Sequence, residues 1–312
     1  MTIVTGVTVR VPAKLNLQLA VGPPRADGYH DLVTVFHAVS LFDEITAEPA
    51  RRDGVSVSGE GADRVPADED NLALRAVSAL RAELPSAPGV HVTIAKRIPV
   101  AAGLAGGSGD AAAALVACNE LWAGGFGPPQ LAEIAARVGS DVAFALLGGT
   151  AVGRGRGEQL TPALAPATQY HWVLAFADGH LSTPEVYAAL DRQRAREQVP
   201  AEPGLDAALM SALRSGDARL VGRALSNDLQ PAALSLFPAL RKTLAAGLEL
   251  GALGALVSGS GPTCVFLAAS ADRALDLAAS LSGAGVCRSV ARASGPVPGA
   301  AIVSGASVTG PR

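Results

Sequence analysis

Aromatic side chains are scarce in this chain: they make up 4% of its 312 residues, and none lies within a run of basic residues. Proteins that bind single-stranded nucleic acid stack bases on aromatic rings along a basic groove. The formal net charge is −3, so the chain also lacks the positive excess that attracts a protein to nucleic acid or to an acidic membrane. The composition therefore predicts neither a nucleic-acid nor a membrane partner.

Cysteine is equally rare, and Cys118, Cys264 and Cys287 are widely separated along the chain. A structural zinc site needs clustered ligands, and a secreted disulfide scaffold needs more pairs. Scattered thiols are typical of a reducing compartment. Residues 1–11 contain no long apolar segment behind a basic start, so no signal peptide is predicted and we expect a cytoplasmic protein.

One uncharged stretch, residues 250–271, is long enough to cross a bilayer. However, a Gly-Ser-Gly-Pro segment at 259–262 lies at its centre and would weaken a spanning helix. Two strands joined by a turn fit this pattern better. The sequence therefore predicts a hairpin here rather than a membrane span.

Apolar side chains are abundant, at 49% of residues against 17% charged, and this balance permits a large packed core. The length suits about two domains. The stretch 153–166 is rich in glycine and proline and is the best place for a boundary, which gives predicted domains at 1–160 and 161–312. Strand and helix patterns are mixed in both halves, and their periodicity does not decide between α+β and α/β.

Alternation and capping residues locate the individual elements. Asp70 or Asn71 is a suitable N-cap for a helix, and Gly139 is a suitable C-terminal cap. The predicted strands are 7–11, 33–41, 55–58, 90–95, 171–176, 252–257, 263–268 and 286–290. The predicted helices are 70–84, 111–122, 131–138, 184–194, 205–214, 238–250 and 272–281.

A glycine-rich segment, residues 99–112, stands between a predicted strand and a predicted helix. Glycine lets ligand atoms approach the backbone, and the start of the helix offers unpaired N–H groups that suit a phosphate. The segment is neither a Walker A loop nor a Rossmann fingerprint. By itself it fits a tight turn without a ligand equally well. Asp110 would repel a phosphate unless a divalent cation were bound nearby.

Two further segments change this interpretation: Pro-Ala-Lys-Leu-Asn-Leu at 12–17 and Ser-Gly-Ser-Gly-Pro-Thr at 258–263. Alone, Lys14 would be read as a solvated charge and 258–263 as an ordinary hairpin. Together with the glycine-rich segment, they resemble in order and spacing the three motifs of the GHMP kinases. The resemblance covers nearly the whole chain.

The resemblance implies an ATP-dependent small-molecule kinase with an α+β fold. It implies an N-terminal domain similar to domain 2 of ribosomal protein S5, a ferredoxin-like C-terminal domain, and an active site between them. Its cofactors would be ATP and Mg²⁺, with no metal ligand predicted. The implied ATP-binding residues are Pro99, Gly103, Leu104, Ala105, Gly106, Gly107, Ser108 and Gly109.

Two positions depart from the usual family loop, Gly-Leu-Gly-Gly-Gly-Ser-Ser. Ala105 replaces a glycine, which is tolerable if that position keeps a negative φ. Gly109 replaces the second serine, so any contact there must come from backbone or water.

Lys14 and Asp141 match the catalytic lysine and aspartate of the family. Asp141 would deprotonate the substrate hydroxyl, and Lys14 would stabilise charge near the transferred phosphoryl group. Without the resemblance, Asp141 would be read as a cap or loop carboxylate after Gly139. Asn16 would orient the substrate by hydrogen bonds.

The segment 25–30, Arg-Ala-Asp-Gly-Tyr-His, resembles one branch of the family. The acceptor would be the 2-hydroxyl of a methylerythritol that carries a diphosphocytidyl group, in non-mevalonate isoprenoid synthesis. Tyr29 would stack on the cytosine, His30 would read its polar edge and Tyr187 would form a second wall, although each tyrosine alone fits simple packing. His37 is expected to be structural.

Two alternatives stay open. The acceptor could instead be that of another GHMP kinase, such as mevalonate or homoserine. A non-catalytic ligand sensor with this fold is also conceivable, but it would be expected to lack the lysine or the aspartate that are both present here. The sequence does not predict an oligomeric state.

Overall fold

Two long antiparallel strands, β1 (Val7–Pro24) and β2 (His30–Pro49), form the centre of the larger of two sheets. The predicted strand at 7–11 is too short, because β1 continues to Pro24. Pro12 lies beside an irregularity in the pairing with β2, where its missing N–H is tolerated. Beyond it the alternation of apolar and polar residues resumes and carries the strand through the Lys14 segment.

A computed structural model of the chain describes residues 6–164, 166, 168–195 and 202–305. The other strands of this part of the chain are β3 (Gly54–Gly59), β4 (Val90–Lys96), β5 (Thr150–Gly155), β6 (Gln159–Pro162), β7 (Tyr170–Phe176), β8 (Ser226–Asn227), β9 (Gly254–Val257), β10 (Cys264–Ala268), β11 (Ser289–Gly295) and β12 (Ala301–Gly305). The α-helices are α1 (Leu72–Glu83), α2 (Gly106–Leu121), α3 (Pro128–Val138), α4 (Ser140–Leu147), α5 (Thr183–Arg194), α6 (Ala207–Ser215), α7 (Ala218–Arg223), α8 (Gln230–Leu236), α9 (Ala239–Glu249) and α10 (Ala271–Ala284).

The larger sheet has the order β12-β1-β2-β4-β3. In addition, β5 pairs with β2, β6 pairs with β5, and β8 pairs with β1. The smaller sheet has the order β11-β7-β10-β9 and is antiparallel throughout. Because β8 and β12 come from the second half of the chain, both halves contribute to the larger sheet. The mixed sheets and helices confirm the α+β class, and the domain division at residue 160 stays a prediction.

Three large apolar cores and one small cluster around Phe36 and Phe144 hold the described layers together. The first lies between the larger sheet and α1–α4, the second between the two sheets, and the third between the smaller sheet and helices that include α5, α9 and α10. Trp172, with none of its surface exposed, fills the second core. The functional cleft described below therefore lies over a rigid, close-packed support.

Several local predictions are confirmed. Asn71 caps α1, since its Oδ1 accepts the N–H of Ala73 at 2.9 Å. The hairpin predicted around 259–262 is present as β9 and β10. Among the helices of the described ranges, none reaches the length and apolar character that crossing a bilayer requires.

One helix start was predicted wrongly, and one helix was missed. Helix α2 begins at Gly106 rather than at residue 111, and α4 occupies a segment read as a cap or loop. The glycine- and proline-rich stretch after residue 150 contains the hairpin of β5 and β6, which pairs with β2, and the domain boundary placed in this stretch stays a prediction. In each case packing against the larger sheet overrides a weak local propensity.

Candidate active site

A cleft of about 650 Å³ opens between the larger sheet, the start of α2 and the first turn of α4. The 258–261 turn and the start of α5 close its other side. The sequence-predicted site residues that line the cleft are Lys14, Asn16, Gly103, Ala105, Gly106, Gly107, Ser108, Asp141 and Tyr187. Those that do not line it are Pro99, Leu104, Gly109, Tyr29 and His30.

Lys14 and Asn16 reach the cleft because alternate side chains of β1 point to opposite faces. Lys14 Nζ donates to Asn16 Oδ1 at 2.7 Å, and Asn16 Nδ2 donates to Thr34 Oγ1 at 2.8 Å. The Thr34 hydroxyl in turn donates to the carbonyl of Gln18 at 2.7 Å. This chain of bonds fixes both cleft side chains before any ligand is bound.

Asp141 faces the lysine across the cleft. Its Oδ2 lies 4.0 Å from Lys14 Nζ, and its side chain is 33% exposed against 9% for Lys14. Burial lowers the pKa of Lys14, and the negative charge of Asp141 partly offsets that effect. The pair thus combines a cation shielded from water with a carboxylate that solvent and substrate can reach.

Asp141 owes its position to α4, of which it is the second residue. A carboxylate in the first turn is favoured by the positive end of the helix dipole. The preceding Gly139 is extended, with φ at 177°. The side chain is therefore part of a helix start that points into the cleft, and not a cap on the preceding helix.

The start of α2 forms the opposite wall of the cleft. Its N-cap residue is Ala105, which has φ of +57° and gives no side-chain cap. The negative φ under which alanine would be tolerable here is not found: the chain turns into the left-handed region, which costs a non-glycine residue roughly 1–2 kcal/mol. Without a capping side chain, the first N–H groups of α2 are free to bind an anion.

Ser108 and the glycines of the first turn face the cleft, whereas Gly109 does not. A Cβ on Gly109 would lie 3.4 Å from Val11 Cγ1, so this residue packs against β1. Leu104 is buried in the core between the sheets. Pro99 lines a smaller neighbouring cavity of about 310 Å³. The predicted ATP contacts of these three residues thus lack support from the geometry of the main cleft.

Asp110 does not face the cleft either, which corrects the expectation that it would repel a phosphate. It is 3% exposed, and its Oδ2 accepts from Lys96 Nζ at 2.7 Å. The charge is therefore paired beneath the helix.

The third motif, residues 258–263, packs against the glycine-rich segment. Ser258 Oγ donates to the carbonyl of Gly103 at 3.0 Å. Gly103 has φ of +76°, and a Cβ there would come 2.1 Å from the Ser258 carbonyl oxygen, so only glycine fits. Ser260 Oγ shares a 2.8 Å hydrogen bond with Thr183 Oγ1, which joins this turn to α5.

The predicted cytosine readers lie near one another but differ in exposure. The Tyr29 ring is 55% exposed, and the Arg156 guanidinium lies 5.2 Å from its centre. His30 is buried and shares a 2.9 Å hydrogen bond with Asp191 Oδ1. The Tyr187 ring lies 5.0 Å from that of His30, and burial followed by the charge of Asp141 raises the pKa of its phenol.

Sequence reasoning missed several residues that line the cleft, among them Thr34, Phe36 and Arg156. Thr34 and Phe36 alternate along β2, so the period of a predicted strand could have placed them on one face. No sequence signal pointed to Arg156, which lies in the turn between β5 and β6. His37, next to Phe36, is fully buried, which agrees with the structural role expected of it.

The described residues contain no group of three or more side chains placed to hold a metal ion. Asp141 is the one carboxylate among the described residues that line the cleft. A cation could be held here mainly by the phosphates of a nucleotide and by water, which is how Mg²⁺ is commonly bound.

Family comparisons agree with this architecture. The family model described as GHMP kinases N terminal domain matches residues 71–149, and that described as GHMP kinases C terminal matches residues 209–287. The chain belongs to the GHMP kinase family, and it is an ATP-dependent small-molecule kinase.

Within this family the chain groups with the 4-diphosphocytidyl-2-C-methyl-D-erythritol kinases. It is 59% identical over 308 residues to the protein of that name from Thermobifida fusca, covering 96% of this chain and 99% of that protein. It is 55% identical over 300 residues to the one from Mycobacterium tuberculosis, covering 96% and 93% of the two chains.

Solved structures extend the similarity to three dimensions. A crystal structure of 4-(cytidine 5'-diphospho)-2C-methyl-D-erythritol kinase is 34% identical, with a TM-score of 0.74 over 92% of this chain and 98% of that one. A homoserine kinase from Cytophaga hutchinsonii has a TM-score of 0.75 at 20% identity, over 97% and 99% of the two chains, which shows the shared fold alone.

Proposed function

We propose that this protein transfers the γ-phosphoryl group of ATP to the 2-hydroxyl of 4-diphosphocytidyl-2-C-methyl-D-erythritol, in the non-mevalonate route to isopentenyl diphosphate and in the cytoplasm. The observation that carries the proposal is the Lys14–Asp141 pair, 4.0 Å apart, facing the uncapped start of α2 in one cleft. The names of the full-length relatives support the choice of acceptor.

The start of α2 would hold the phosphates of ATP. Gly106, Gly107 and Ser108 line the cleft. Their N–H groups and the Ser108 hydroxyl would supply hydrogen-bond donors to an anion, and the helix start would supply a positive dipole. Mg²⁺ would be bound through the phosphates and water, and when present it would neutralise charge that develops during transfer. No side chain is assigned as its ligand.

Asp141 would act on the acceptor. Its carboxylate orients the 2-hydroxyl and takes its proton as the oxygen bonds to the γ-phosphorus. The bond from that phosphorus to the β-phosphate oxygen breaks, so ADP leaves and the acceptor carries a 2-phosphate. The Asn16 side chain is held by Thr34. It would position the acceptor through the amide hydrogen-bonding groups that it does not use within the protein.

Lys14 would interact with both the Asp141 carboxylate and the transferred phosphoryl group. Because it is buried, its charge is little screened by water, so it can hold Asp141 ionised and stabilise the negative charge of the transferred group. Its bond to Asn16 fixes the ammonium, which avoids reorganisation during the reaction.

The cytidine would lie toward the turn between β1 and β2. Tyr187 forms part of the cleft wall, and His30 lies behind it with a polar ring held by Asp191. Tyr29, exposed at the turn, offers a free face on which the base can stack, worth about 1–3 kcal/mol per base.

A comparison of acceptors tests the proposal. Purified protein with ATP and Mg²⁺ is offered the diphosphocytidyl acceptor, mevalonate or homoserine, and ADP release is followed. We expect turnover with the diphosphocytidyl acceptor only. Activity on mevalonate or homoserine alone would assign a different acceptor, and tight binding of the diphosphocytidyl compound without ADP release would identify a ligand sensor.

A further inference from the structure

A buried cluster of three charges lies directly beneath the start of α2. Lys96, the last residue of β4, donates from Nζ to Asp43 Oδ2 at 2.5 Å and to Asp110 Oδ2 at 2.7 Å. The three side chains are 1%, 0% and 4% exposed. None of them lines the cleft.

The cluster connects three elements of the fold, β2, β4 and α2, through Lys96 Nζ. Asp43 belongs to β2, and its Oδ1 also accepts the N–H groups of Arg97 and Ile98 at 2.6 and 2.9 Å. Asp110 belongs to α2, one turn after the helix begins. Lys96 Nζ therefore joins the larger sheet to the helix whose first N–H groups face the cleft.

The backbone of α2 also approaches this lysine closely. A Cβ on Gly106 would lie 3.0 Å from Lys96 Nζ and 3.1 Å from Ile98 Cγ2. The first residue of the helix thus packs directly on the ammonium. Any movement of Lys96 would move the N–H groups proposed to bind phosphate.

A contribution to folding stability does not by itself explain why these three charged groups are buried together. Two carboxylates share one ammonium, and Asp110 Oδ1 has no hydrogen-bond partner in the described residues. Burying such groups costs free energy that an apolar cluster would not. Burial raises the pKa of Asp110 to about 7, against the opposing charge of Lys96. A buried network that costs folding free energy is better explained by a need to place a neighbouring element precisely.

We propose that Lys96, Asp43 and Asp110 act as positioning residues that hold the first turn of α2 at the distance from Lys14 and Asp141 needed for phosphoryl transfer. The inference rests on the proposed role of this turn as the ATP-phosphate site. Asp110 is the specific link, because its removal leaves the Lys96–Asp43 pair intact and detaches only the helix.

The test compares Asp110→Ala with Asp110→Asn. Asparagine keeps an oxygen that can accept from Lys96, whereas alanine does not. A displacement of about 1 Å at a reacting site can lower the rate by up to about 10²-fold, so we expect Asp110→Ala to lower kcat by about tenfold or more and also to raise the KM and Kd for ATP. For Asp110→Asn, the same quantities should stay within about threefold of their wild-type values, because asparagine can keep the helix in place. The KM for the acceptor should not change.

Asp53→Ala supplies a matched control. It removes the ion pair with Arg81, outside the lining of the cleft, and should lower the melting temperature with no change in KM for ATP. The Kd for ATP is measured by calorimetry without acceptor, so the readout does not depend on turnover. Should Asp110→Ala not fold, Asp110→Ser, which leaves room for a water beside Lys96, replaces it.

A lower melting temperature with unchanged kcat and unchanged Kd and KM for ATP in the Asp110 variants would overturn the inference and leave a purely structural role. Loss of ATP affinity in Asp110→Asn equal to that in Asp110→Ala would also contradict it. A wild-type protein that bound ATP but did not phosphorylate the diphosphocytidyl acceptor would instead contradict the proposed function. The two failures are therefore distinguishable.

Discussion

The two ends of the cleft are held in different ways. At the phosphate end, polar contacts anchor the backbone from several sides: Ser258 bonds to Gly103, the Lys14 N–H donates to the Leu104 carbonyl at 3.2 Å, and Lys96 holds the start of α2. At the end where we propose that the cytidine binds, Tyr29 lies outside the lining of the cleft, is 55% exposed and lies beside a charged guanidinium. Chemistry requires fixed geometry, whereas a flat base can be bound by rings that adjust to it.

The largest expected effect falls at the anchored end. Asp141→Asn keeps the size of the side chain but cannot accept the proton of the acceptor hydroxyl. We expect kcat to fall by about 10²-fold or more, the scale of a positioned base, with little change in the Kd of either substrate. Steady-state kinetics and calorimetric titration measure the two quantities.

Asp191→Asn is the corresponding control at the cytidine end, since this carboxylate bonds to His30. It should leave kcat near the wild-type value and affect only the KM of the acceptor. A kcat loss as large as that of Asp141→Asn would remove the distinction between the two ends.

A smaller effect is expected from Tyr29→Ala. Loss of about 1–3 kcal/mol of stacking should raise the KM of the diphosphocytidyl acceptor by about fivefold to 150-fold and leave the KM for ATP unchanged. Tyr29→Phe keeps the ring and should stay close to wild type. Equal losses for acceptor and ATP would contradict the stacking role.

The strand that joins the two ends also carries a pH-dependent group. Burial lowers the pKa of His37 to about 3, whereas the unfolded chain binds this proton near pH 6.5. The neutral ring therefore favours the folded state above about pH 6.5, and this stability is lost as the pH falls toward 3, at up to about 1.4 kcal/mol per pH unit.

Between pH 7 and pH 5, the melting temperature of His37→Gln should consequently fall less than that of wild type, as measured by thermal denaturation. Both proteins should keep similar KM values at pH 7.5, because His37 does not line the cleft. An identical pH dependence of stability in the two proteins would exclude His37 as the acid-sensitive group.

The smallest effect concerns Ala105, whose φ of +57° is unfavourable for any residue but glycine. Ala105→Gly should raise the free energy of unfolding by about 1 kcal/mol, measured by denaturant titration. The KM for ATP should change by less than about twofold, since the backbone path is kept. A loss of stability would mean that the alanine methyl group contributes more in packing than it costs in strain.

The sequence predicted well what short segments determine by themselves or through a family resemblance. Asn71 as a helix cap is a local hydrogen bond, and the residues of three separated motifs do meet in one cleft. The early start of α2 could not be predicted, because the glycines of its first turn are helical only where Lys96 and Ile98 pack closely beneath Gly106. The pairing of Asp110 with Lys96 is likewise a long-range contact that no local pattern contains.

The position of the new phosphate on the product tests the account most directly. With wild-type protein, ATP and the diphosphocytidyl acceptor, phosphorus NMR of the product should show one new phosphomonoester on C2 of the methylerythritol and an intact diphosphate. A new phosphomonoester on the ribose, or ADP release with no new phosphomonoester, would contradict the placement of Asp141 and the α2 start around the acceptor hydroxyl.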